Sequence, residues 1–151
     1  MATPAPSLSG TVHGGLTAVS GARVTLYAAG SIGYGSGATE LASTASDSSG
    51  SFSFTSWICP ADNPETYVIV ESGNPGGGTN PAIGMMSLTG PCDALTASAF
   101  ATVNELTTVA AEWALAQFSD STGAFIGTSS TNATGLTTPS TCRRQTWCRA
   151  T

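Results

Sequence analysis

The chain contains no lysine. Its only other cations are Arg23, Arg143, Arg144 and Arg149, with His13 as the single histidine. Duplex nucleic acid is held by several Lys and Arg side chains that neutralise phosphates, and no Lys or Arg occurs between Arg23 and Arg143. Nucleic-acid binding by the body of the chain is therefore excluded, and an anionic membrane surface is disfavoured for the same reason. Charge of either sign is scarce: 9% of residues are Asp, Glu, Lys or Arg, against about a quarter in an average globular chain. Intrinsic disorder normally rests on high charge with low hydrophobicity, and the first of these is missing. No apolar run approaches the roughly 20 residues that span a bilayer, so membrane insertion is not expected. The opening segment, Met1 to Ser7, has neither a basic region nor an apolar stretch. It reads as a linker rather than a signal peptide, with any export signal outside this chain. Cysteine is sparse too, and none of the four has the C-x₂-C spacing of a zinc site. No metal and no cofactor are expected.

What is present is Gly, Ser, Thr and Ala, in 151 residues, a length that suits one domain with its own core. An even number of cysteines in a charge-poor, Thr-rich chain fits disulfides and an oxidising compartment. A secreted or cell-surface location follows as the expectation. Cys59 and Cys92 each sit beside a proline in loop sequence and are the expected pair, with two buried free thiols as the alternative.

Short alternating segments separated by Gly, Ser, Asp and Pro run through the chain from Leu8. Leu8–His13, Ala22–Ala28, Thr39–Ser46, Ser51–Ser56, Thr66–Glu71 and Ala82–Leu88 read as strands. Phe52 and Phe54 share one face at period two, and Thr66–Glu71 is β-branched or aromatic almost throughout. Asp47-Ser-Ser-Gly50 reads as a turn. One helix is predicted over about 102–117. Thr102 and Glu105 have capping-box spacing, and Val103, Leu106, Ala110, Trp113 and Ala114 recur at helical period. That apolar stripe is expected to pack on the strands or on a neighbour not in the chain. Residues 119–151 read as a flexible tail: 119–139 is rich in Ser, Thr, Gly and Asn. The Arg-rich stretch Cys142–Arg149 breaks abruptly from it, as a truncated or out-of-frame end or as a small Cys142–Cys148 loop. The organisation expected is thus a linker over 1–7, a domain over 8–118, and a tail.

Three stretches together are specific: Ser9-Gly-Thr-Val-His13, Val19-Ser-Gly-Ala-Arg-Val-Thr-Leu-Tyr27, and Thr44-Ala-Ser-Asp-Ser-Ser-Gly-Ser-Phe-Ser-Phe54. They resemble the carboxypeptidase-regulatory-like, prealbumin-like and collagen-adhesin B-type domains of secreted bacterial proteins. The likeness covers residues 8–72. It implies a mostly β fold, a seven-stranded Ig-like or prealbumin-like sandwich, here followed by one C-terminal helix. It also implies a spacer, stalk or binding module. Two chemistries known among similar domains do not carry over. A Lys–Asn isopeptide bond needs a lysine. Hydroxyisourate hydrolysis uses several His and Arg and a distinctive C-terminal tetrapeptide, whereas this chain has one His and ends Cys148-Arg-Ala-Thr151.

Site candidates are few. His13 precedes a Gly-Gly turn and reads as a surface residue. The stretch Gly33–Gly37 departs from G-x-S-x-G, with Tyr34 where the first glycine belongs. Asp47 has no acid close by in sequence and reads as a turn residue rather than a calcium ligand. No catalytic residue is assigned. Tyr34, in a Gly-rich loop, and Trp57, at a strand end, are the best candidates for an exposed sugar-stacking platform. The leading reading is a non-catalytic extracellular module, a structural spacer or interaction domain of a larger exported protein, with the helix as a docking element. Its partners would be other domains of that protein or an extracellular polysaccharide. A carbohydrate-binding module and a small esterase-type hydrolase are the alternatives.

Overall fold

The computed structural model describes residues 6–137. Its strands are β1 (Ser7–Gly14), β2 (Thr17–Ala18), β3 (Arg23–Ala28), β4 (Thr39–Ala45), β5 (Ser51–Thr55), β6 (Glu65–Glu71), β7 (Gly84–Pro91) and β8 (Phe100–Val103), followed by helix α1 (Glu105–Leu115). The molecule is mostly β, with two four-stranded sheets and one main helix. In the first sheet β1 is central. It pairs antiparallel with β5, from Ser7↔Thr55 to Thr11↔Ser51, and parallel with β8, from Ser9↔Phe100 to Val12↔Val103. The short β2 folds back on its end. The second sheet runs β4-β3-β6-β7, antiparallel throughout.

Period-two patterning sets which residues enter the space between the sheets. Leu8, Val12, Phe52, Phe54, Ala101 and Val103 come from the first sheet; Val24, Leu26, Val68, Val70 and Met85 come from the second. Phe52 and Phe54 meet edge to face with centroids 5.6 Å apart. Gly10 makes room for this pair, since a Cβ there would collide with the Phe52 ring and the Ala101 carbonyl.

Strand β6 is buried from Glu65 to Val70, on both faces. Its even positions face the core between the sheets. Tyr67 and Ile69 face a second core with Met86, Leu88, Ala111, Leu115, Phe118, Ile126 and Leu136. A strand covered on both sides has no polar face, which accounts for the uninterrupted apolar run.

Four expectations need correction. Eight strands are present among the described residues where the resemblance implies seven; β2 and β8 are absent from the six segments that the sequence pattern marks as strands. Residues 102 and 103 belong to β8, because Ala101 and Val103 alternate into the core beside Val12. The helix consequently starts later, and Asn104 caps it in place of Thr102. Asn104 Oδ1 accepts from the Thr107 amide at 2.9 Å and Thr107 Oγ1 accepts from the Asn104 amide at 3.0 Å.

The domain does not stop at Phe118. Phe118, Ile126, Thr128 and Leu136 are all buried. The Tyr67 hydroxyl donates to the Ala124 carbonyl and accepts from the Ile126 amide, each at 3.1 Å. Gly127 bridges to Gly30, where a Cβ on either would collide with the Ser36 carbonyl. Residues 119–137 therefore form the outer lid of the second core rather than a tail.

Cys59 and Cys92 are disulfide-bonded, as expected, joining the loop after β5 to the end of β7. The fourth correction is Trp57, which is only 8% exposed. Its indole N–H donates to Cys92 Sγ at 3.4 Å and its ring stands edge-on to Phe54. The readings of Cys142, Cys148 and the Arg-rich stretch lie outside the described residues.

Candidate interaction surface

Helix α1 has an inner side set by β7. That strand is the outer member of its sheet, so its outward backbone groups need partners. Thr108 Oγ1 accepts from the Met86 amide at 3.0 Å, and Thr107 Oγ1 lies 3.0 Å from the Met86 carbonyl. Thr108 returns its own proton to the Asn104 carbonyl at 2.7 Å. Two β-branched residues that weaken a helix on propensity alone thus cover a sheet edge. Ala111 and Leu115, one and two turns on, fill the second core behind them.

Fixing that side turns the large apolar residues outward. Leu106 is 80% exposed, Val109 68% and Trp113 86%, with Ala110 exposed between them. The stripe expected to pack on the strands is therefore divided. Val103 is buried in β8, Ala114 is half-buried, and Leu106, Ala110 and Trp113 face away from the domain. The spacing i, i+3, i+4, i+7 was legible as an amphipathic face. Which face met the sheet was decided by the Thr107–Thr108 bonds to Met86.

Glu105 and Glu112 are the charged residues of α1, and both are exposed. Glu105 Oε1 accepts from the Gly15 amide at 2.8 Å. That bond holds the β1–β2 turn, with the wholly exposed Leu16, against the start of the helix. The Glu112 carboxylate rests beside Gly123.

The other sequence candidates lie elsewhere. Tyr34 is 54% exposed, packs its ring against Phe118, and accepts a hydrogen bond from Asn132 Nδ2 at 3.0 Å. Trp57 is enclosed between the sheets, so the two rings do not form one platform. Asp47 Oδ1 accepts from the Ser49 hydroxyl and from the Ser49 and Ser51 amides. The Ser49 hydroxyl above all, then the two amides, holds this carboxyl below its ordinary range, as befits a turn residue. Among the described residues no three His, Cys, Asp or Glu side chains gather as a metal site. No described helix is long and apolar enough to cross a membrane.

No family model matches the chain, and no curated protein matches it. Among solved structures it is similar to a 9R-lipoxygenase from Cyanothece PCC8801, at 10% identity and a TM-score of 0.42. The match covers 66% of this chain and 16% of the lipoxygenase chain. A likeness of that size carries no argument about function.

Proposed function

We propose that this chain is a non-catalytic β-sandwich module of an exported protein, and that it docks onto other domains through the outer face of α1. The observation that carries this reading is the stripe Leu106–Val109–Ala110–Trp113, turned away from a helix whose opposite side is pinned to β7. Single exposed apolar residues are ordinary on protein surfaces, but a contiguous stripe on a fixed helix marks a contact surface.

The sandwich is read as prealbumin-like and carboxypeptidase-regulatory-like. Supporting this are Gly10 under the Phe52 ring, the Asp47–Gly50 turn with Gly50 at φ +76°, and the Phe pair in the core. Export is supported by the Cys59–Cys92 disulfide, since such bonds persist in oxidising compartments. The reading assigns no catalytic residue. The polysaccharide alternative has lost one of its two rings to the core.

A photo-crosslinking amino acid in place of Val109, introduced into the protein in its own host, tests the docking face. Adducts to a neighbouring domain or protein are expected, and the same probe in place of the exposed Ser48 should give none. Equal labelling from both positions, or none from position 109, overturns the proposal.

A further inference from the structure

We infer that the occupant of the α1 face is an amphipathic helix with basic flanks; this rests on the docking reading above. In heptad terms Leu106 and Trp113 take position a, Val109 takes d, and Glu105 and Glu112 both take g. The residues that bind the sheet, Thr107, Thr108 and Ala111, fall at b, c and f, on the far side. The outward half of α1 is thus one and a half heptads of a coiled-coil seam with an acidic rail along one edge. Such a seam receives another helix with knobs in its holes, and its g residues select opposite charge on the partner. Ala110, small between Leu106 and Trp113, leaves the notch a knob enters.

Charge separates the occupants. The described residues carry nine acids against one arginine, Arg23, a formal −8 with His neutral. That arginine is 3.8 Å from Glu40. A second copy would set the acidic rail against itself in an antiparallel pair and against the uncharged Ala110 in a parallel one. Neither orientation offers it an opposite charge, and the net negative charge of both copies opposes their approach. An anionic membrane would meet the same repulsion. A partner helix with Lys or Arg beside its apolar seam meets attraction at Glu105 and Glu112 instead.

Two synthetic 21-residue helical peptides test this with the full chain. Both have a Leu seam; one has Lys and the other Glu at its e and g positions. Fluorescence anisotropy of the labelled peptides at low salt should show the Lys peptide binding roughly 10-fold more tightly, the scale expected of two exposed charge pairs. Glu105→Gln with Glu112→Gln should bring the two peptides within about 2-fold. Leu106→Ser with Trp113→Ser should abolish binding of both. Equal affinity for both peptides would overturn the basic partner while leaving the docking face standing. Undiminished binding of the Lys peptide to the Leu106→Ser, Trp113→Ser chain would overturn the seam as the site. A concentration-dependent dimer in sedimentation that disappears in that same double variant would assign the face to a second copy and overturn the inference.

Discussion

Thr108 accepts the amide hydrogen of Met86 across 3.0 Å, so a helix side chain supplies what a further strand would otherwise supply to the edge of β7. Replacing Thr108 by Val keeps the shape and removes the acceptor. The Met86 N–H would then be left without this partner in a half-buried place, at a cost of about 1–3 kcal/mol. Urea denaturation should show that loss, with faster hydrogen exchange at the Met86 amide. Trp113→Ser, a larger change one turn further along the same helix, should stay within about 0.5 kcal/mol of the parent, because its ring touches little. A reversed order would mean that α1 packs by its apolar stripe.

Tyr67 makes stability depend on alkaline pH. Burial above all raises its hydroxyl above the ordinary value of 10.0, against the lowering effect of the Ile126 amide bond. A folded-state value above the unfolded one gives stability that is complete below about pH 10. It declines as pH rises further, because the unfolded chain loses the proton first. The slope approaches 1.4 kcal/mol per pH unit for one such group. Tyr27, stacked on Tyr67 at 5.6 Å and also raised, chiefly by burial, adds a smaller contribution of the same sign. Tyr67→Phe should be less stable than the parent at pH 7 by about 1–3 kcal/mol, from the Ile126 amide and Ala124 carbonyl left unpartnered. It should also lose less stability between pH 10 and 11.5. Parallel curves for the two proteins would contradict the assignment.

The Cys59–Cys92 bond closes a loop with a sequence separation of 33. Chain entropy alone gives such a cross-link about 3–4 kcal/mol. Cys59→Ala, which leaves Cys92 to receive the Trp57 indole N–H, should lower the free energy of unfolding from urea denaturation by that amount. Trp57 fluorescence should remain that of a buried ring. Cys92→Ala removes both the cross-link and the indole's acceptor and should cost more. Equal losses would show that the N–H···S contact contributes nothing measurable.

The strands were readable because their signal is local. Phe52 and Phe54 alternate with serines, and Asp47 bonds to amides two and four residues away. The helix was readable as a helix but not in its facing. Hydrophobicity alone sends Leu106 and Trp113 inward, and only the bonds from Thr107 and Thr108 to a backbone some twenty residues distant reverse that. Trp57 followed the same logic in the opposite sense. Its loop sequence suggests exposure, while the disulfide two residues on draws the loop against β7 and the ring inside. The second core leaves one mark in the sequence. Thr66–Val70 lacks a polar face, which requires cover on both sides of β6, and the cover is α1 together with the segment 119–137.

That segment gives the sharpest test of where the domain ends. Gly127 approaches Gly30 so closely that a methyl group there would strike the Ser36 carbonyl, and neither backbone can yield without breaking the Gly30–Ile126 and Gly35–Phe118 hydrogen bonds. Gly127→Ala should therefore cost at least about 2 kcal/mol, in the range of overpacked interiors, and make the chain cleavable by protease within 119–137. Gly77→Ala, in a loop where a Cβ meets nothing, should be close to neutral. If residues 119–137 were a tail, Gly127→Ala would be as silent as Gly77→Ala, and a chain ending at Phe118 would unfold at the same urea concentration as the whole. The packed arrangement predicts instead that this shortened chain exposes Tyr67 and Ile69 and binds apolar dye. The Ile126 amide would then be gone from the Tyr67 hydroxyl, and with it the cover that makes β6 an interior strand.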